Sequence, residues 1–172
     1  MSTRKQVWAY QEIPEDPEVT RLMPGFEIQY MIDGDHVEKN DRAVFGHCVF
    51  PPVSQHSPHR HLKADELVYV ISGRVVNGQI DEDGVVTEYE CTAGMATFVP
   101  EGRIHWTRNP FDEPAEFVFV YYGASSLEAS GLVDLTAEVP ITNDPVSGTR
   151  HLQLDIDQAQ VDAASKKVED AE

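Results

Sequence analysis

Up to residue 124 the chain has almost no helical periodicity. In its place are short runs of β-branched, aromatic and other apolar residues, many alternating with polar ones and divided by turn residues. That is the pattern of strands joined by tight turns. The runs predict strands at Glu27–Ile32, Ala43–Phe50, Glu66–Ile71, Gly73–Ile80, Val85–Tyr89, Ala96–Val99, Ile104–Arg108 and Glu116–Tyr122. Between them stand Asp33-Gly34, Pro51-Pro52, Ser72-Gly73, Asp83-Gly84, Ala93-Gly94, Glu101-Gly102 and Asn109-Pro110. The Asp-Gly pairs supply the positive φ angles of tight hairpins. Short strands at this spacing in 172 residues predict one all-β sandwich or barrel.

The flanks read differently. Residues 1–40 form a mixed arm in which Ile13-Pro14 and Asp16-Pro17 favour extended segments and turns. After Gly123 the pattern decays, and residues 152–172 combine weak apolar spacing with six acidic residues, either a marginal helix or a disordered acidic tail. The expected division is an arm over 1–40, a barrel core over 41–124 and a weakly structured C-terminal extension over 125–172. The run Phe117–Tyr122 is apolar on both faces, so the face turned away from the barrel must also be covered. A second subunit, which predicts a homodimer, and the chain's own terminal segments are the two available covers.

Composition narrows the partners. Thirteen Lys+Arg against 30 Asp+Glu give a formal charge of −17. A surface this acidic, with no basic cluster, repels phosphate backbones and anionic lipid heads, so neither nucleic acid nor membrane is an expected partner. The longest apolar runs are far below the roughly 20 residues of a spanning helix, and Met1–Tyr10 lacks an apolar signal core. Cys48 and Cys91 are too few for a disulfide framework and lack metal-site spacing, which makes a reduced, cytoplasmic location the expectation. The reading places Cys91 in a turn.

The residues that carry chemistry lie in two segments. In a strand, side chains two apart share a face, so His59 and His61 point one way and Arg60 the other. Four residues separate His61 from Glu66, enough for the chain to turn and offer the carboxylate from the next strand. His105 opens a later strand after Pro100-Glu101-Gly102. Three neutral imidazoles and one carboxylate suit a single divalent ion such as Fe(II), Mn(II), Ni(II) or Zn(II). His36, His56 and His151 read as structural or exposed, and His47 as a packed or hydrogen-bonded residue. Arg103 and Arg108, flanking His105, read as surface or interface charges. No Ser-His-Asp arrangement, phosphate loop or dinucleotide fingerprint is present, which leaves the metal as the evident catalyst.

His59-x-His61-x4-Glu66-x6-Gly73 and Gly94-x5-Pro100-x-Gly102-x2-His105-x3-Asn109 resemble the two cupin motifs, each occurring once and separated by residues 74–93. One departure stands at position 53, where the glycine that usually opens the first motif is Val53. The resemblance covers roughly residues 41–124. It implies a single double-stranded β-helix, a jelly-roll-like cupin barrel, with His59, His61, Glu66 and His105 as metal ligands. It also implies sheet-to-sheet dimers that exchange an N-terminal arm.

Strand parity then sketches a pocket. If Glu66 faces inward, so do Val68 and Val70, while Leu67 and Tyr69 face out; if His105 faces inward, Thr107 and Asn109 follow and Trp106 lies outside. Phe98, or its neighbours Thr97 and Val99, is expected to line the same cavity, and Tyr121 is a further candidate. Four protein ligands leave a six-coordinate ion two open positions. The cupin resemblance spans dioxygenases, decarboxylases, lyases, isomerases and non-catalytic proteins. The favoured expectation is Fe(II)-dependent oxygenation of a small enolisable or phenolic substrate. A redox-neutral lyase, decarboxylase or isomerase and a small-molecule binding module are the alternatives.

Overall fold

Alternation of apolar and polar positions sorts the strands into two antiparallel sheets, described in a computed structural model for residues 7–17, 21 and 25–171. After a 3-10 turn at Tyr10–Glu12, the elements are β1 (Glu27–Ile32), β2 (Ala43–Phe50), β3 (Ser54–Gln55), β4 (His59–His61), β5 (Asp65–Ser72), β6 (Arg74–Ile80), β7 (Val85–Thr92), β8 (Ala96–Val99), β9 (His105–Asn109), β10 (Ala115–Tyr122), β11 (Leu132–Asp134), β12 (Thr149–Gln153) and the C-terminal helix α1 (Gln158–Glu169). The first sheet runs β1-β2-β10-β5-β8. The second runs β11-β4-β9-β6-β7-β12, with β3 paired to β9. This is a double-stranded β-helix of the jelly-roll type. Each of the eight runs read as strands is a strand here. No helix among the described residues is long and apolar enough to cross a membrane.

The main core lies between the sheets. Ile28 from β1, Cys48 and Phe50 from β2, Val68 and Val70 from β5, and Phe117, Phe119 and Tyr121 from β10 all point into it. Gly46 is required here, because a Cβ at that position would lie 2.1 Å from the Phe119 ring. Cys91 belongs to this core as well. The turn read around it is instead the end of β7, where burial pushes its thiol pKa up.

A second core covers the outer face of the second sheet. Trp106, Ile80 and Val86 pack there against Val133, Leu135 and Val139 and against Val161 of α1. The C-terminal extension, expected to be weakly structured, is therefore built in: β11 pairs with β4, β12 with β7, and α1 starts at an Asp157 cap whose carboxylate accepts from the Ala159 and Gln160 amides. β11 has only three residues, and β12 (Thr149-Arg150-His151-Leu152-Gln153) carries a single apolar position and no β-branched or aromatic run, which is why both escaped the sequence pattern.

Arg108 corrects a second expectation. It is fully buried, not a surface charge. Its guanidinium pairs with Glu88 at 2.9 Å, and Glu88 also takes a bond from Trp106 Nε1 at 3.1 Å and from Arg150 of β12. One buried carboxylate thus joins β7, β9 and β12. Val53 also bears on the sequence reading: it adopts φ 55°, in the left-handed region, and donates its amide to Phe111 O at 3.0 Å. The turn that a glycine would favour is kept with a β-branched residue in it.

Two outcomes follow from this architecture. Glu88→Ala leaves the Arg108 charge buried and unpaired, and is expected to cost about 3–5 kcal/mol in urea unfolding, more than Arg150→Ala on the half-exposed side of the same network. Val53→Gly removes a left-handed penalty of roughly 1–2 kcal/mol against about 0.4–1 kcal/mol of added unfolded-state freedom. It is expected to raise the urea midpoint.

Candidate metal centre

The register between β4 and β9 sets His59 opposite His105. His61, two residues on, shares the face of His59, and Glu66 enters from β5 in the facing sheet. One ligand atom from each of His59, His61, Glu66 and His105 lies within 4.8 Å of the others, and all four residues are buried. His105 Nε2 approaches Glu66 Oε2 at 2.5 Å, and His61 Nε2 approaches the same oxygen at 3.6 Å. The ring centroids of His59 and His105 are 4.2 Å apart. The four residues read as ligands from the sequence are therefore the four the fold brings together.

Hydrogen bonding fixes which nitrogens face the centre. His59 Nδ1 donates to Ser57 O at 2.7 Å and His105 Nδ1 donates to Arg103 O at 2.9 Å, since a carbonyl only accepts. With a cation at the centre each ring would turn an unprotonated Nε2 inward, and without one the 2.5 Å approach of His105 Nε2 to the Glu66 carboxylate holds a proton between them. His61 Nδ1 bonds Ser130 Oγ at 2.8 Å, and its Nε2 is buried with no hydrogen-bond partner among the described residues. An orphaned buried nitrogen aimed at a carboxylate and two other imidazoles is what a divalent cation would satisfy. Burial, reinforced by the neighbouring imidazoles, holds the His59 pKa well below the ordinary histidine value, which keeps the ring available as a ligand. Burial alone would raise the Glu66 carboxyl, but His105 and His61 outweigh it and bring the pKa well below the usual range.

Beside these ligands lies a cavity of about 70 Å³, lined by Ile28, Tyr30, Cys48, Phe50, His56 and Thr107, with Phe117, Phe119, Tyr121, Leu127 and Leu132 completing the wall. That is room for a few water molecules, so only a small ligand fits the cavity as shaped. Thr107 and Tyr121 stand where the sequence reading put them, and the Tyr121 ring lies 4.6 Å from His61. Val68 and Val70 do face inward but pack into the inter-sheet core away from this wall. Phe98 is a correction. It pairs with outward-facing Leu67 across β5–β8 and is 54% exposed, so Val99, opposite Glu66, is the inward residue.

Sequence reasoning missed His56, which it grouped with the structural histidines. The His56 ring sits 4.6 Å from that of His59 and forms part of the wall. No sequence signal marks it, because it lies in the short link between β3 and β4. Ile28, Cys48, Phe50, Phe117 and Phe119 were reachable by parity from their strands. His47 is hydrogen-bonded, as read: Nδ1 to Gln29 Oε1 at 3.1 Å and Nε2 to Glu116 Oε1 at 2.8 Å, on the outer face. A larger cleft of about 780 Å³, lined by Arg60, Arg103 and the Asp81–Gly84 turn, lies elsewhere and shares no wall residue with the cavity.

Comparison with known proteins agrees with this geometry. The cupin-domain family model matches residues 46–121. Germin-like protein 2-4 of Oryza sativa subsp. japonica is 33% identical over 82 residues, which cover 48% of this chain and 34% of the relative. Spherulin-1A of Physarum polycephalum is 34% identical over 89 residues, covering 48% and 36%. The chain thus spans little more than a third of the length of these two relatives. A structure of Bacillus subtilis oxalate decarboxylase superposes with a TM-score of 0.66 at 18% identity, over 78% of this chain and 33% of that one. Fold, motif spacing and ligand geometry converge with the family match: residues 46–121 of the chain form a cupin domain.

Proposed function

We propose that the chain is a metal-dependent enzyme whose four-ligand site takes a small enolisable or phenolic compound through its oxygens, with Fe(II)-dependent oxygenation as the reaction. The supporting observation is the wall of the cavity. It is mostly aliphatic and aromatic, and among the described residues no Lys or Arg lines it. The arginines nearest in sequence to the ligands turn away: Arg60 bonds Ser165 of α1, Arg103 Nη1 donates to Ile80 O at 3.1 Å, and Arg108 pairs with Glu88. A dicarboxylate would bring two charges beside Glu66 with no cationic side chain to meet them, whereas a neutral or singly charged ligand avoids that cost.

A divalent ion held by His59, His61, Glu66 and His105 supplies Lewis acidity toward a ligand oxygen and, when it is Fe(II), electrons for oxygenation. The chain does the rest. Burial pushes the Tyr30 and Tyr121 phenols far above their ordinary pKa, so both remain neutral O–H donors for a ligand oxygen. The Cys48 thiol is pushed up in the same way and adds no competing thiolate. The aromatic wall keeps bulk water from the reacting atoms. Mn(II), Ni(II) and Zn(II) suit the same donors. A redox-neutral decarboxylase or lyase on a small organic acid is the second reading, favoured by the likeness to oxalate decarboxylase.

The face left open on the first sheet supports a homodimer as part of this proposal. Leu67, Tyr69, Phe98 and Tyr122 are 40%, 48%, 54% and 61% exposed on neighbouring strands β5, β8 and β10, an apolar patch of the kind that marks an interface.

Protein purified without added metal is expected to contain iron. With that preparation, oxygen uptake should appear with one of a panel of diketones, hydroxyketones and catechols and not with oxalate. Turnover that continues unchanged without oxygen would overturn the oxygenation reading in favour of Lewis-acid chemistry, while ligand-induced stabilisation without product would make the chain a binding module. Glu66→Ala and His105→Ala are each expected to lower metal affinity at least about tenfold. In light scattering, the wild type should run as a dimer and Tyr69→Glu as a monomer; a monomeric wild type sinks the dimer.

A further inference from the structure

One hydrogen bond at the centre runs through a side chain where its counterparts run to the backbone. His59 and His105 anchor Nδ1 on carbonyls, but His61 Nδ1 meets Ser130 Oγ. A hydroxyl both donates and accepts, so by itself it leaves the tautomer of His61 open. Its second bond closes the question. Ser130 Oγ donates to Leu127 O at 2.5 Å, which uses its only proton. The oxygen must then accept from His61 Nδ1, and His61 Nε2, the orphaned nitrogen, carries a lone pair.

Ser130 is itself fixed. It is fully buried, its amide donates to Ser126 O at 3.1 Å, and the turn is joined to the chain just after His61 by Leu62 N to Gly131 O at 3.1 Å and Lys63 N to Ser130 O at 3.0 Å. Ser126 Oγ accepts from the Ala129 amide at 3.0 Å and closes the same turn without touching the histidine.

We propose that Ser130 is a positioning residue: with its proton committed to Leu127 O, it holds His61 in the Nδ1–H tautomer and aims Nε2 at the metal position. The turn over 126–131 thereby governs how well His61 is preset. The proposal rests on the four-residue centre holding a divalent ion, but its first test does not. In metal-free wild-type protein at alkaline pH, nitrogen-15 NMR of the imidazoles should show His61 protonated on Nδ1. An Nε2–H tautomer there overturns the proposal, whatever the metal content.

The second test is Mn(II) affinity by chelator competition. Ser130→Ala is expected to weaken it about 10- to 100-fold and to give His61 a mixed tautomer signal. Ser130→Thr should restore both, and Ser126→Ala should stay within about twofold of wild type. Unchanged affinity with a single tautomer in Ser130→Ala would overturn the assignment. So would equal losses in Ser130→Ala and Ser126→Ala that track equal drops in melting temperature, since that pattern belongs to a merely structural turn. If Ser130→Ala does not fold, the wild-type tautomer still decides.

Discussion

The structure hangs on the period of two along an antiparallel strand. Because β4 shows His59 and His61 on one side and Arg60 on the other, two imidazoles enter the barrel while the guanidinium leaves it. Because β4 and β9 meet at His59 and His105, the third imidazole falls beside the first. A slip of one residue in that register would send His105 outward and bring Trp106 into the centre. Register is therefore the quantity the rest of the fold protects, and the protection comes from both faces of the second sheet.

Inside, the imidazoles are held by their far nitrogens, two on carbonyls and one on Ser130. Outside, Trp106 packs over Gly78, where a Cβ would stand 2.1 Å from the indole, and Arg108 is held by Glu88. Alternate residues of β9 thus serve the cavity and the outer core in turn. The consequence for the cavity is chemical as well as mechanical. Every arginine near the ligands is engaged on the far side of the sheet or at a strand end, which leaves the wall mostly aliphatic and aromatic with no cationic side chain among the described residues.

Much of this was legible in the sequence. Eight strands announced themselves by alternation and turn residues, and the four metal-facing residues by spacing that only a strand converts into proximity. What remained hidden was hidden for physical reasons. Strands of two or three residues, such as β3 and β11, carry too few periods to register. Arg108 looks like a surface charge because the sequence does not show that Glu88 waits two strands away, and parity turns Trp106 out of the barrel without showing the core under α1 that receives it. Phe98 was misassigned because parity was counted without an anchor on β8, where Val99 opposite Glu66 is the anchor. Val53 shows the converse: the glycine rule concerns backbone conformation, and the turn persists at φ 55° without it.

The Glu88 hub has a bearing on what counts as the folding unit. The region of family likeness, residues 46–121, contains Glu88, Trp106 and Arg108 but neither Arg150 nor the helix that buries Val161. Cut out by itself, that region would leave an indole and a carboxylate turned to water on one face, and on the other the aromatic side of β2 without β1 beside it. The stretch that the family model matches and the stretch that secures the register therefore differ, because the outer core and the Glu88 hub draw on β12 and α1, beyond residue 121.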